Sequence, residues 1–160
     1  MVENMVINQK YKMNTPLTLI GLKLGYKTTN KNEKAMEDCG ALWQSYMGGF
    51  VPNKIPNKLN GDTYAVYFEY DGDHTDPYSY FIGCPVEDGT EVPDGLDSIT
   101  IPAQNYEVVT AKGKMPDCVA EAWRDIWRRD IDRAYGYDFE IYREKMDWNN
   151  AEVEIYLSVK

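Results

Sequence analysis

The sequence predicts an α+β fold made of two tandem βαββ units, with antiparallel strands and both helices on one side. Two observations carry this prediction. The order strand, helix, strand, strand occurs twice, over about residues 16–87 and again over about residues 98–160. Strand segments alternate in polarity, whereas helical segments repeat apolar residues every three or four positions. We therefore expect one domain over residues 1–160, built as two similar halves around a central cleft.

The first unit begins with TPLTLIGLKLG, whose alternation suits a strand buried on much of both faces. A helix follows, with Asn30 or Asn32 as its N-cap and the Gly48-Gly49 pair as its end. The runs TYAVYFEY and YSYFIGCPV are predicted strands, joined by a turn-rich loop that holds the only histidine, His74. These segments complete the first strand, helix, strand, strand order.

The second unit repeats that order. SITIPAQNYEVVTAKG supplies a strand, and Pro116 with Asp117 opens a helix that we expect to end at Gly136. Arginines that alternate with aspartates predict a solvated helix face with local ion pairs: Arg124, Arg128, Arg129 and Arg133. DFEIY and AEVEIYLSV are the last two strands, around an Asn-Asn turn.

The final strand pair has an unusual acidic and aromatic pattern. Two glutamates and two tyrosines are expected on one face of it, opposite an apolar face: Glu140, Tyr142, Glu154 and Tyr156. Laid over the first unit by pattern, they match in order Ala65, Tyr67, Phe81 and Gly83. One half thus offers carboxylates where the other offers small or aromatic groups. A cleft between the halves would have one acidic wall and one aromatic wall.

The composition excludes several classes of partner. The formal net charge is -9, from 26 Asp and Glu against 17 Lys and Arg, which repels phosphate backbones and anionic lipid. We expect no direct binding to nucleic acid or membrane. The three cysteines form no CxxC pair, so neither a disulfide framework nor a zinc site is predicted. With no signal-peptide or membrane-span pattern, the chain is predicted to be cytoplasmic.

The sequence carries no catalytic or phosphate-binding motif. GxSxG, HExxH and GxGxxG are missing from it, so we expect no cofactor and no metal. Glu140 and Glu154 are open to three interpretations: a general acid/base pair, a counter-charge for a cation, or part of a solvated face. The helix residues Trp43 and Trp123 fit a packed core.

The quoted segments resemble a known family. GDTYAVYFEYDGDHTDPYSYFIGCPV, the helix AEAWRDIW, DFEIY and EVEIYLSV are similar to the effector-binding domains of AraC- and MerR-type multidrug transcription regulators. They are also similar to the stand-alone GyrI-like proteins, which are related to the DNA gyrase inhibitor. The resemblance covers about residues 17–159. It is most specific in GDHTDPY, YFIGCPV and VEIY.

The resemblance implies an aromatic pocket at the pseudo-twofold axis, where a buried glutamate neutralises hydrophobic organic cations. The family's pocket glutamate falls on Glu140, with Glu154 and Tyr156 as second candidates. The other expected ligand-binding residues are Tyr142, Tyr67, Phe81, Trp43 and Trp123. Because the first strand begins by about residue 17, no DNA-binding domain is expected, and a separate DNA-binding regulator is a candidate partner.

Binding of hydrophobic, cationic, drug-like effectors is therefore the leading functional hypothesis. Two alternatives stay open. Some GyrI-like relatives hydrolyse electrophilic small molecules, which would make Glu140 or Glu154 a base. The acidic chain could instead inhibit a partner protein by binding its basic surface.

Overall fold

The computed structural model describes residues 5–160 and shows one eight-stranded antiparallel sheet with two helices packed on the same face. The elements run in chain order as β1 Met5–Met13, β2 Leu17–Lys23, α1 Lys34–Gly48, β3 Thr63–Phe68, β4 Ser79–Val86, β5 Asp97–Ile101, β6 Gln104–Gly113, α2 Asp117–Arg128, β7 Asp138–Tyr142 and β8 Ala151–Val159. Two short 3-10 helices flank α1, at Lys31–Glu33 and Val51–Lys54. Among the described residues, neither helix is long and apolar enough to cross a membrane.

The strand order across the sheet is β1-β6-β8-β7-β3-β4-β2-β5. The first unit contributes β2-β4-β3 and the second contributes β6-β8-β7, so the two units meet where β3 pairs with β7. This order confirms the tandem βαββ architecture. The sheets of the two units are joined into one continuous sheet.

The outermost strand β1 was not expected from the sequence, and the run SITIPAQNYEVVTAKG, predicted as one strand, is divided into β6 and the other outermost strand, β5. β1 pairs with β6, while β2, which follows it after residues 14–16, lies near the opposite end of the sheet. Likewise β5 pairs with β2, although only residues 102–103 separate it from β6. Links this short cannot span an open sheet of eight strands, since neighbouring strands lie about 4.8 Å apart. The sheet therefore curls until its two ends approach each other.

The curl creates two core regions. On the outer face, α2 packs over the second half of the sheet and α1 over the first. On the inner face, residues from both ends of the sheet meet residues from its centre: Met13, Leu19, Val66, Phe68, Phe81, Ile101, Tyr106, Phe139 and Ile141. Strand β4 is buried on both faces along its whole length, which explains its almost continuous apolar run.

Two of the four predicted helix boundaries need correction, the start of α1 and the end of α2. Neither asparagine caps α1: the helix starts at Lys34, and the Asn30 side chain instead donates to the His74 carbonyl and accepts from the Tyr78 hydroxyl. α2 ends at Arg128 instead of Gly136, because the backbone is extended from the next residue onward. The chain then turns inward, which removes Arg133 from the expected solvated helix face.

Candidate functional site

The centre of the sheet has near-twofold symmetry. β3 and β7 pair in a register that places Ala65 opposite Glu140. On its other side Ala65 pairs with Ile82 of β4, and Glu140 pairs with Ile155 of β8. The overlay predicted from the sequence, Ala65 on Glu140 and Tyr67 on Tyr142, is therefore confirmed by the pairing. The pseudo-twofold axis between the units therefore passes between the Glu140 carboxylate and the Ala65 methyl group.

Glu140 is held there by three donors. The Tyr142 hydroxyl donates to Oε1 at 2.6 Å, the Tyr67 hydroxyl donates to Oε2 at 3.0 Å, and the Trp123 indole Nε1 also donates to Oε2. The residue is only 1% exposed. The structure thus brings together four of the residues predicted from the sequence, two from β7, one from β3 and one from α2.

The electrostatics of this carboxylate are unbalanced. Burial raises the pKa of Glu140, and hydrogen bonds from Tyr142, Trp123 and Tyr67 lower it again in part. All three donors are neutral, and within residues 5–160 no lysine, arginine or histidine forms an ion pair with Glu140. A buried carboxylate that lacks a positive partner is costly when ionised. The site therefore favours the arrival of a positive charge.

Aromatic rings surround Glu140. Tyr67 lies with its ring centroid 5.1 Å from Trp123 and 5.0 Å from Tyr80. Trp43, from α1, is edge-on to Tyr142 at 5.2 Å and donates its indole N–H to the Tyr80 hydroxyl at 2.9 Å. Burial raises the pKa of Tyr67, Tyr80 and Tyr142 well above the usual value, so these hydroxyls stay protonated donors.

Three other predicted residues lie elsewhere. The register of the last hairpin places Phe139 opposite Tyr156 and Ile141 opposite Glu154. Tyr156 and Glu154 therefore lie on the opposite face of the sheet from Glu140, and the prediction that all four polar residues share one face is wrong. Phe81 also packs on the inner face. The eight-residue loop 143–150 allows β8 to pair in this register. A shift of one residue along β8 would place Glu154 and Tyr156 on the Glu140 face, as the sequence pattern predicts.

The same register excludes a paired-carboxylate mechanism. Glu140 and Glu154 lie on different faces of the sheet, so they cannot act together as a general acid/base pair on one ligand.

A buried ion pair that the sequence did not predict supports the site. Asp138, two residues before Glu140, accepts from Arg133 Nη2 at 2.7 Å, from the Tyr70 hydroxyl at 2.8 Å and from both the backbone N–H and hydroxyl of Ser158. The Arg133 guanidinium carbon lies 5.8 Å from the Trp123 ring centroid. The ion pair thus stacks a fixed cation against the indole that donates to Glu140. A useful sequence signal was the Asp138 position on the Glu140 face of a buried strand.

Two βαββ units with an acidic, aromatic centre beneath two helices define a class of effector-binding domain. Residues 16–159 match the Cass2 family, described as integron-associated effector binding proteins, and the chain belongs to that family. This match confirms the effector-binding resemblance seen in the sequence.

Relatives of the chain include named regulators. It is 28% identical over 123 residues to the putative transcriptional regulator protein YobU of Bacillus subtilis, covering 74% of this chain and 75% of YobU. It is 27% identical over 128 residues to the transcriptional regulator BrlR of Pseudomonas aeruginosa, covering 75% of this chain. That second match spans only 46% of BrlR, less than half of its length.

Solved structures share the fold. An integron cassette protein of Vibrio cholerae superimposes with a TM-score of 0.71 at 22% identity, covering 99% of this chain and 100% of that one. The structure of SAV2435 bound to tetraphenylphosphonium gives a TM-score of 0.75 at 20% identity, covering 95% of this chain and 93% of that one.

Proposed function

We propose that this protein binds hydrophobic organic cations, with Glu140 as the counter-charge and the surrounding tyrosines and tryptophans as the walls. The observation that carries the proposal is a buried carboxylate whose three donors are all neutral. An incoming cation would supply the missing charge, and ring faces would add quadrupole attraction. Broad selectivity is expected, because one charge and several rings set few limits on ligand shape.

The comparisons support this assignment. SAV2435, which has the same fold, was solved with tetraphenylphosphonium, a hydrophobic cation. Two relatives are named transcriptional regulators, which supports a role in ligand-dependent control of transcription. In our proposal residues 16–159 supply the effector-binding function, and the ligand signal is passed to a separate DNA-binding regulator.

Ligand entry requires the site to open, since Glu140 is covered by its own aromatic neighbours. α1 is the less firmly anchored cover: it buries only Asp38 and Tyr46. Met36 and Met47 are exposed and lie on the same helical face as Trp43, which contacts the site. Methionine side chains adapt to ligands of different shape. We therefore place the entrance along this face of α1.

The test is a titration with tetraphenylphosphonium, in which quenching of the intrinsic tryptophan fluorescence reports binding. Triphenylphosphine oxide serves as a neutral compound of similar shape. We expect saturable quenching by the cation, and weakening by about 1–3 kcal/mol, or roughly 5- to 150-fold in Kd, in the Glu140→Gln variant.

The matched control is Glu152→Gln, which neutralises an exposed carboxylate on the neighbouring strand. It should bind the cation as the unmodified chain does. Equal affinity in Glu140→Gln and the unmodified chain would remove Glu140 from the proposal. Recovery of chemically unchanged tetraphenylphosphonium after long incubation, checked by mass spectrometry, would count against turnover of this compound.

A further inference from the structure

The inner face of the curled sheet holds a second cavity, of about 250 Å³. Its lining residues come from β1, β2, β3, β7 and β8: Tyr11, Met13, Thr15, Pro16, Leu17, Tyr64, Phe139, Ile141 and Tyr156. Phe139 and Ile141 flank Glu140 along β7, and strand side chains alternate between faces. This cavity and the Glu140 site therefore lie back to back across one strand.

The cavity wall is a row of aromatic rings. Phe139 lies between Tyr64 and Tyr156, with centroid distances of 5.3 and 4.7 Å and interplanar angles of 29° and 12°. Tyr11 closes one side, edge-on to Tyr156 at 5.8 Å. It is 49% exposed, and Thr15 and Pro16 beside it are exposed as well. The mouth of the cavity is thus at the turn between β1 and β2.

The volume limits the size of a ligand. Pockets for drug-sized molecules usually measure roughly 300–1,000 Å³. At about 250 Å³, this cavity is smaller, and it suits a compact molecule with one or two rings. A bulky cation with four phenyl groups does not match it.

Charged side chains at one end of the cavity indicate the charge of the ligand that it would accept. Glu154 lies opposite Ile141 on the cavity face, where directly paired side chains are close neighbours. Arg143 pairs with both Asp62, at 2.8 Å, and Glu154. Two carboxylates share this one guanidinium, so the cluster has a net charge of -1. Ile141 lines the cavity, so its pairing with Glu154 places this cluster next to the cavity wall.

We propose that this cavity is a second ligand site, for a protonated aromatic amine with one or two rings. The ring of the ligand packs against Phe139 and the flanking tyrosines, and its ammonium group meets the acidic end at Glu154. Ring faces attract a cation, and the excess carboxylate adds to that attraction. Neither contact uses Glu140, so this site functions even if the organic-cation proposal fails.

The experiment uses tryptamine as the probe and indole as its neutral counterpart, with isothermal titration calorimetry on the full chain. We expect saturable binding of tryptamine and weaker binding of indole. Thr15→Trp fills the mouth with a bulky ring at an exposed position and should weaken tryptamine binding by about tenfold or more. Asn14→Trp adds the same ring next to the mouth, at an exposed position outside the lining, and should bind normally.

A second variant tests the charge. Glu154→Gln should weaken tryptamine binding by about tenfold and leave the weaker indole binding as it was. Matching thermal melts of the variants exclude misfolding as the cause. No saturable tryptamine binding would overturn the proposal. So would binding that survives Thr15→Trp but is lost in Glu140→Gln, because tryptamine would then occupy the Glu140 site.

Discussion

The two βαββ halves have the same frame but carry different chemistry at equivalent positions. At the centre of the sheet, Ala65 in the first half corresponds to Glu140 in the second. Two residues away from this pair along each strand, both halves place a tyrosine, Tyr67 and Tyr142, and both hydroxyls donate to the one carboxylate. The symmetry thus supplies paired aromatic walls, and the asymmetry supplies a single charge. In our proposal, this symmetric frame with one carboxylate binds one cation.

The two helices also differ, because α2 of the second half is more deeply buried than α1 of the first half. α2 buries Cys118, Val119, Ala122, Trp123 and Ile126, whereas only two residues of α1 are buried. The second half also holds the buried pair of Arg133 and Asp138, which fixes Trp123. The second half is therefore the more deeply buried, charged side of the site, and in our proposal the ligand enters on the side of the first half.

The largest expected effect comes from breaking the buried ion pair of the second half. Asp138→Asn leaves the Arg133 guanidinium buried without its counter-charge, which should lower the free energy of unfolding by about 3–5 kcal/mol. Chemical denaturation measures it. The control is Asp71→Asn, which breaks the exposed pair with Lys27 in the first half. That change should cost about 1 kcal/mol or less. Similar losses in the two variants would contradict the energetic difference expected between the buried and the exposed ion pair.

A smaller effect is expected from moving the carboxylate across the pseudo-twofold axis. Glu140→Ala should weaken tetraphenylphosphonium binding, and adding Ala65→Glu in the same chain should recover about tenfold of the lost affinity. The reason is that position 65 faces the same aromatic walls from the other strand. Fluorescence titration of the single and double variants measures the recovery. If the double variant binds no better than Glu140→Ala, the two central positions are not equivalent for a ligand.

The smallest expected effect is the release of less than one proton per bound cation when the ligand binds. Burial raises the pKa of Glu140 above its ordinary value of 4.5, so the folded protein holds this proton to higher pH than the unfolded chain does. The contribution of Glu140 to stability therefore falls as pH rises from about 4.5 through the raised pKa. A bound cation favours the ionised form, so binding within that window should release protons.

Calorimetry of tetraphenylphosphonium binding in two buffers with different ionisation enthalpies measures the release. The Glu140→Gln variant should show neither the proton release nor the corresponding decline in stability with pH. Proton release that persists in this variant would assign the titrating group to another residue.

Much of the fold and part of the site could be predicted from the sequence. Local patterns located the six strands and two helices of the duplicated units, and the alignment of the halves matched Ala65 with Glu140 and Tyr67 with Tyr142. The family resemblance, not the alignment, assigned Glu140 to a pocket at the axis. The edge strand β1 was missed and β5 was not separated from β6, because both edge strands are stabilised by pairing with distant strands, which local patterns do not reveal. The end of α2 was misplaced, because Arg133 is directed inward by Asp138, a partner that helical periodicity cannot reveal.

The sequence by itself determined the duplicated frame, the acidic balance of the chain and the candidate carboxylate, since these depend on residue types and on periods of two and 3.6 residues. Only the tertiary structure decided which polar residues share a face. One residue of register moves a whole strand from one face to the other, and the loop between β7 and β8 leaves that register to the packing of both cores. For this reason Glu140 lies beneath the helices, whereas Glu154 and Tyr156 belong to the inner face of the curled sheet.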